Sequence, residues 1–369
     1  MNQMKRNIYI ILMMFAALSL WGGCKKMDST YKQFVVNGGR YYPGKANNAE
    51  FQPGNERGRI YWLKSADPKT VKARVFWNNN ADSVEIPLPA DRDTVSYLFT
   101  KLPENFYTFI IKTYDASGNV SVPVEVPGAV YGKTYQSRLV ERPLKEALLT
   151  VADKLSVTWE AADIANRAIA TEIEYTDKQG LLKTKRFSTL LPQTDIDDYK
   201  VGTPFRYRTV YSPDSLAIDD FYTPYKTNET LFLNKKEWKI IDFSSQHPGD
   251  ENMVTNFIDG DPATRWHTNA WESHYPHFCT IDMGAQRTIS KVGVWRMVDD
   301  DRAPDKIQIL TSADNVNWVD QGVFNFNRLS NNEQVFNMSV LKNARYFKFV
   351  AVSGPQQYAV LGEIRVYVR

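Results

Sequence analysis

Cysteine and histidine are the scarce residues of this 369-residue chain, with two of the first and four of the second. A disulfide framework is excluded, because Cys24 stands near the N-terminus while Cys279 alternates with Ile281 and Met283 as a buried strand residue does. His247, His267, His274 and His277 lack helical or close ligand spacing and have no cysteine pair beside them, so a zinc site is not expected. Charge of one sign is scarce too: 45 basic and 42 acidic residues leave a net +3 without long runs, and no nucleic-acid partner is expected. The apolar stretch at residues 8–20 falls short of the roughly 20 residues that a spanning helix needs. With Lys5 and Arg6 before it, it reads as a secretory signal. Absent as well are a serine or cysteine nucleophile elbow, a phosphate-cradling glycine loop and a zinc motif. Adjacent carboxylates such as Asp197-Asp198 and Asp299 to Asp301 fall in polar loops, so the chain reads as a binder and not as an enzyme.

What is present is apolar mass: 43% of the residues are hydrophobic, enough for several cores, and the length suggests two to three domains. The signal leads into Leu20-Trp21-Gly22-Gly23-Cys24, which resembles the lipobox of bacterial lipoproteins apart from Trp21, where an aliphatic residue is usual. The resemblance implies lipidation of Cys24 and a membrane anchor, with residues 1–23 as signal peptide and 24–40 as a polar tether.

From Tyr41 onward, short alternating apolar stretches follow one another with turn signals between them. Examples are Arg59-Ile-Tyr-Trp-Leu63, Val71-Lys-Ala-Arg-Val-Phe-Trp77, Tyr107-Thr-Phe-Ile-Ile-Lys-Thr-Tyr114 and Ser121-Val-Pro-Val-Glu-Val126. The layout recurs in Leu155-Ser-Val-Thr-Trp159, Ala168-Ile-Ala-Thr-Glu-Ile-Glu-Tyr175 and Pro204-Phe-Arg-Tyr-Arg-Thr-Val-Tyr211, with a turn at Asp177-Lys-Gln-Gly180. Tyr114-Asp-Ala-Ser-Gly-Asn-Val120 resembles the last hairpin of a fibronectin type III domain. Two tandem immunoglobulin/fibronectin III-like sandwiches are therefore expected, at residues 41–128 and 129–232, with a linker at 223–230. As a whole, residues 24 to about 230 look like the N-terminal region of an uncharacterised family of lipoproteins from gut-type Gram-negative bacteria.

The last stretch, residues 233–369, carries six phrases in a fixed order. They are Asn256-Phe-Ile-Asp-Gly-Asp-Pro-Ala-Thr-Arg-Trp-His-Thr268, Thr280-Ile-Asp-Met-Gly284, Ile289-Ser-Lys-Val-Gly-Val-Trp-Arg296, Ile307-Gln-Ile-Leu-Thr-Ser-Ala-Asp-Asn-Val-Asn-Trp318, Ala344-Arg-Tyr-Phe-Lys-Phe-Val350 and Gly362-Glu-Ile364. Together they resemble the coagulation factor 5/8 type C, or discoidin, domain in its bacterial carbohydrate-binding version, and imply a galactose-binding-like jelly roll. The fold class expected for the chain is thus all-β.

The resemblance further implies a structural calcium ion. Matching positions make Asn256 and Asp261 backbone ligands, Asp259 a side-chain ligand, and Thr264 a ligand through hydroxyl or carbonyl. Gly362 would give its carbonyl and Glu363 its carboxylate, a hard oxygen set of the kind calcium takes. It also implies a sugar site in which His267 and Arg296 supply polar contacts and the loop aromatics Trp271, Tyr275 and Tyr358 are within reach of the ring. One departure stands out. Galactose-binding members place an asparagine several residues after the arginine, whereas here the loop reads Met297-Val-Asp-Asp-Asp-Arg-Ala-Pro304. That acidic loop suggests a different or positively charged glycan, a peptide ligand or a lost site. Trp266, Trp295 and Trp318 read as core.

The functional expectation is a lipid-anchored carbohydrate-binding protein of the outer membrane, displayed at the cell surface, with glycans as ligands and other envelope proteins as further partners. The alternative is a protein-interaction or structural lipoprotein whose discoidin-like module has lost sugar binding.

Overall fold

The structure is a computed structural model that describes residues 3, 13, 32–36 and 38–368. Cys24 and nearly all of the signal segment lie outside the described residues. The described residues form two compact units, one from the residues up to 51 with 59–98 and 106–128, the other of residues 52–58, 99–105 and 129–368.

In the first unit, alternation with a period of two builds a sandwich. Strands Asn47–Pro53, Gly58–Leu63 and Thr94–Phe99 form a three-stranded sheet. Asp82–Pro87, Thr70–Trp77, Asn105–Asp115 and Val124–Val130, in that order, form a four-stranded one. Alternate residues of facing strands point inward, so Ile60, Trp62, Val75, Phe109 and Ile111 lose their solvent contact. Phe51 of one sheet stacks on Phe109 of the other at 4.7 Å between centroids.

The second unit opens with another sandwich. One sheet holds Leu182–Ser188, Ala168–Thr176, Phe205–Tyr211 and the short strands Phe221–Tyr222 and Lys226–Asn228. The other runs Gln193–Ile196, Leu155–Trp159, Leu144–Leu149. Residues 223–230, expected as a linker, therefore supply a strand of the sandwich: Lys226 pairs with Tyr207 and Asn228 with Phe205. Lys-Thr-Asn pairs at a sheet edge through its backbone alone, which leaves no apolar alternation to read.

The sheet does not stop at the sandwich. Leu231–Leu233 pairs in parallel with Leu144–Leu149 through Phe232↔Leu148 and Leu233↔Leu149. On its other edge it pairs antiparallel with Glu363–Val368, the last strand of the described chain, through Leu231↔Val368 and Phe232↔Tyr367. From there the sheet continues into the jelly roll by His277–Trp295, Asn343–Ser353, Lys306–Ser312 and Trp318–Asn325. The guanidinium of Arg287 spans the same junction, donating to Val151 O at 2.8 Å and pairing with Asp153 at 2.6 Å.

The core of the jelly roll holds Trp266, Phe257, Ile281, Val292, Phe347, Phe349 and Ile364 without solvent contact. Cys279 lies fully buried among them, and burial pushes its thiol far above its usual range, so it acts as a small apolar residue. Of the three tryptophans expected in the core, Trp266 is there. Trp295 and Trp318 are half-buried, with Arg365 and Lys348 placed over their rings at 5.2 Å, an amphipathic solution for a large ring near the surface.

Candidate functional site

His267 ends the short strand Trp266–His267, which pairs with Val360–Leu361. Its residue is only 5% exposed. Nδ1 lies 2.6 Å from the carbonyl of Thr268 and Nε2 lies 3.5 Å from Nη1 of Arg302. A carbonyl accepts and a guanidinium donates, so Nδ1 carries the hydrogen and Nε2 presents its lone pair. Burial, seconded by the positive charge of Arg302, holds the ring's pKa below its ordinary value, the Thr268 carbonyl opposing. The imidazole is thus an acceptor at neutral pH. Tyr358 stacks on it at 4.8 Å and 21°.

Arg302 reaches this ring because the N–H of Val360 donates to its carbonyl at 3.3 Å, tying the 297–304 loop to the strand beside His267. Its guanidinium is held in a fork by Asp300, with Nε to Oδ1 at 2.8 Å and Nη2 to Oδ2 at 2.5 Å, and its pKa is raised by that partner. At Asp300 burial works to raise the carboxyl, and the hydrogen bonds and charge of Arg302 outweigh it, leaving it below the usual carboxylate value.

Trp271, in the turn after His267, is 70% exposed. Its N–H donates to Asn269 Oδ1 at 2.9 Å, and its indole stands edge to face against His247 at 4.6 Å. His247 in turn lies 5.0 Å from His267 between ring centres and accepts the Ala270 N–H at 3.3 Å. Gln357 Nε2 clamps the same turn through the carbonyl of Ala270 at 2.7 Å. The result is an exposed flat ring joined through His247 to an imidazole acceptor and a fixed guanidinium. That set suits a ligand with one apolar face and several hydroxyls.

The structure therefore stacks Tyr358 on His267 and links Trp271 to them through His247, and it adds Arg302 and Asp300, which the sequence reading passed over. Arg296 makes its contacts with other residues. It is 7% exposed, its Nη1 donates to Arg328 O at 3.3 Å, and Nη2 lies 3.7 Å from Asp299. The guanidinium at His267 is that of Arg302. Tyr275 points inward as well: its hydroxyl donates to Tyr358 O at 3.2 Å, its ring lies 4.6 Å from His277, and burial raises its phenol far above the usual range. It supports the loop that carries Tyr358. The acidic run of the loop is neutralised one charge at a time, Asp299 by Arg296, Asp300 by Arg302 and Asp301 by Arg328 at 3.5 Å. Asp300 is buried in its pair, whereas the side chains of Asp299 and Asp301 stay exposed with an arginine beside each.

The turn expected to hold calcium follows the 3-10 segment Val254–Ile258 and is closed by Gly260, whose φ of 96° favours glycine. Thr264 Oγ1 lies 2.8 Å from Asp259 Oδ2, 2.8 Å from Asp261 O and 3.3 Å from Asn256 O. One hydroxyl hydrogen faces three acceptors, so oxygens outnumber protons, a donor set that suits a hard cation. Gly362 allows the carbonyls of Arg296 and Pro262 to approach within 2.6 and 2.7 Å of where a Cβ would stand. Glu363 is 3% exposed, and its carboxylate accepts from the N–H of Gly260, from the N–H of Ile364 at 2.6 Å and from the ammonium of Lys235.

Two family models match the chain. The one for DUF4998, a domain of unknown function, covers residues 24–221, more than half of the sequence. The chain belongs to the DUF4998 family. The model for the F5/8 type C domain covers residues 240–364, so this DUF4998 chain carries a C-terminal F5/8 type C jelly roll. Among curated proteins, a sialidase of Micromonospora viridifaciens is 31% identical over 175 residues, 44% of this chain. The chain spans 26% of that sialidase's length. Among solved structures, the C-terminal domain of a chitobiase from Bacteroides fragilis is 24% identical, covering 37% of this chain and 97% of its own, with a TM-score of 0.35. The family 32 CBM from C. perfringens NanJ in complex with galactose is 18% identical, covering 37% and 98%, with a TM-score of 0.34.

Proposed function

We propose that this DUF4998 chain is a lipid-anchored glycan-binding protein of the cell envelope, without catalytic activity of its own, and that its F5/8 type C module makes the contact. The observation that carries the reading is exposed Trp271 packed on His247, whose ring lies 5.0 Å from the His267 imidazole that Arg302 and Tyr358 flank. The indole offers a stacking face for the apolar side of a pyranose. His267 Nε2, which Arg302 approaches only to 3.5 Å, accepts from one hydroxyl, and Arg302 donates to a neighbouring one while Asp300 holds it in place. His247 braces the indole, so the platform is set before ligand arrives and little ordering cost attends binding. Membrane attachment through Cys24 and display at the outer membrane surface belong to the same proposal and rest on the lipobox-like sequence. So does a calcium site at Asn256, Asp259, Asp261, Thr264, Gly362 and Glu363, supported by the oxygens crowded around the Thr264 hydroxyl.

Affinity electrophoresis through gels containing galactans, mucin or mannan tests the reading. The protein should be retarded in at least one gel, and Trp271→Ala should abolish the retardation. Unretarded migration in every gel by a folded protein would favour the alternative, a protein-interaction lipoprotein.

A further inference from the structure

Lys235 follows the strand shared by sandwich and jelly roll, and its side chain is 17% exposed. Its ammonium meets Glu363 Oε1, which also accepts from the Ile364 N–H, while Oε2 accepts from the N–H of Gly260. Asp259 also lies close enough to act on Lys235 electrostatically, as does Arg365 with the opposite sign. The cleft above the pair is lined by Asp259, Gly260, Lys235, Lys236, Glu146 and Arg365. A positive charge delivered by the chain itself therefore stands on the carboxylate that a metal ion at this turn would use.

We propose that Lys235 is the built-in cation of this turn, and that calcium reaches Glu363 only by displacing its ammonium. The inference rests on the reading of the turn as a cation site. Two carboxylates, Asp259 and Glu363, face one ammonium and, when metal enters, one divalent ion. The two cations compete for Glu363, because like charges at contact distance repel and Lys235 with two backbone N–H groups already takes three of the carboxylate's roughly four acceptor positions. The lysine arm is anchored by the strand pairing of Leu231–Leu233 and by the Trp238 N–H to Lys235 O bond at 2.9 Å, so the ammonium remains near its partner at no translational cost. Calcium affinity at the turn is thereby tied to the segment that joins the two domains.

Calcium titration by calorimetry and by thermal unfolding, on the purified protein stripped with chelator, provides the test. Wild type should keep its Tm in chelator and bind calcium weakly. Lys235→Met should bind one calcium ion at least about tenfold more tightly, since removing a competing charge at contact distance changes an equilibrium by this much or more. Calcium should also raise its Tm. The double variant Lys235→Met, Glu363→Gln removes the carboxylate with the ammonium, and it should fold and show no gain in calcium affinity. Equal calcium affinity in wild type and Lys235→Met would overturn the role of Lys235 while keeping the turn as a metal site. No calcium binding by a folded Lys235→Met protein would overturn both.

Discussion

Trp271 illustrates how function separates from stability at a single residue. A large aromatic that is 70% exposed contributes little to the core, so Trp271→Ala should change unfolding free energy by no more than about 0.5 kcal/mol. The same change should weaken glycan binding by about 10–100-fold, as loss of an aromatic anchor does. Urea denaturation and calorimetric titration on one preparation check both halves. His267 and His277 make the opposite case. Burial is the main cause that lowers both pKa values below the ordinary histidine value, so between that value and the folded ones the unfolded chain binds more protons. Stability is therefore fully present above about pH 6.5 and is lost as pH falls below it. A melting series from pH 7.5 to 5.5 should show a falling Tm, with a shallower fall in His277→Gln; a flat series would contradict the assignment. At this scale the site was partly legible. His267, Trp271 and Tyr358 were named because the six phrases of residues 256–364 resemble the F5/8 type C domain, which implies polar contacts and aromatics at these loops. Arg302 and Asp300 were not, because sequence shows the sign of the charges in Met297-Val-Asp-Asp-Asp-Arg-Ala-Pro304 and not which arginine each aspartate meets.

Among the elements, Leu231–Leu233 has an influence out of proportion to its three residues. Its backbone pairs on both edges, with Leu144–Leu149 of the sandwich and Glu363–Val368 of the jelly roll, so it has no free edge through which either neighbour separates. Phe232→Pro removes an N–H from that ladder and imposes a fixed φ. It should cost about 1–3 kcal/mol of unfolding free energy, measured by urea titration. The same substitution in an ordinary linker would cost almost nothing. Strands such as Leu155–Trp159 and Ala168–Thr176 were legible because alternation marks a half-buried strand. The pairing of Lys226–Asn228 and the double pairing of Leu231–Leu233 were not, since both rest on backbone hydrogen bonds to residues far away in sequence, and neither segment is long enough for a period to show.

At the scale of the whole molecule, the second sandwich and the F5/8 type C module behave as one body. They share a sheet, the Arg287 contacts to residues 150–153 and a continuous apolar core from Trp159 and Tyr175 to Trp238 and Phe349. Calorimetry should therefore resolve no separate melting of the module from the sandwich, and two transitions assignable to residues 129–230 and 231–368 would contradict this. A module fixed in this way holds its loops at a set orientation to the second sandwich. The central claim is that those loops bind a sugar through Trp271, His267 and Arg302. A glycan array probed with wild type and Arg302→Ala side by side tests it most directly. The account predicts a defined group of glycans retained by wild type and lost or weakened at least about tenfold in the variant, the scale of a charge-assisted hydrogen bond. Hits that survive Arg302→Ala unchanged, or a blank array from a correctly folded wild type, would contradict it.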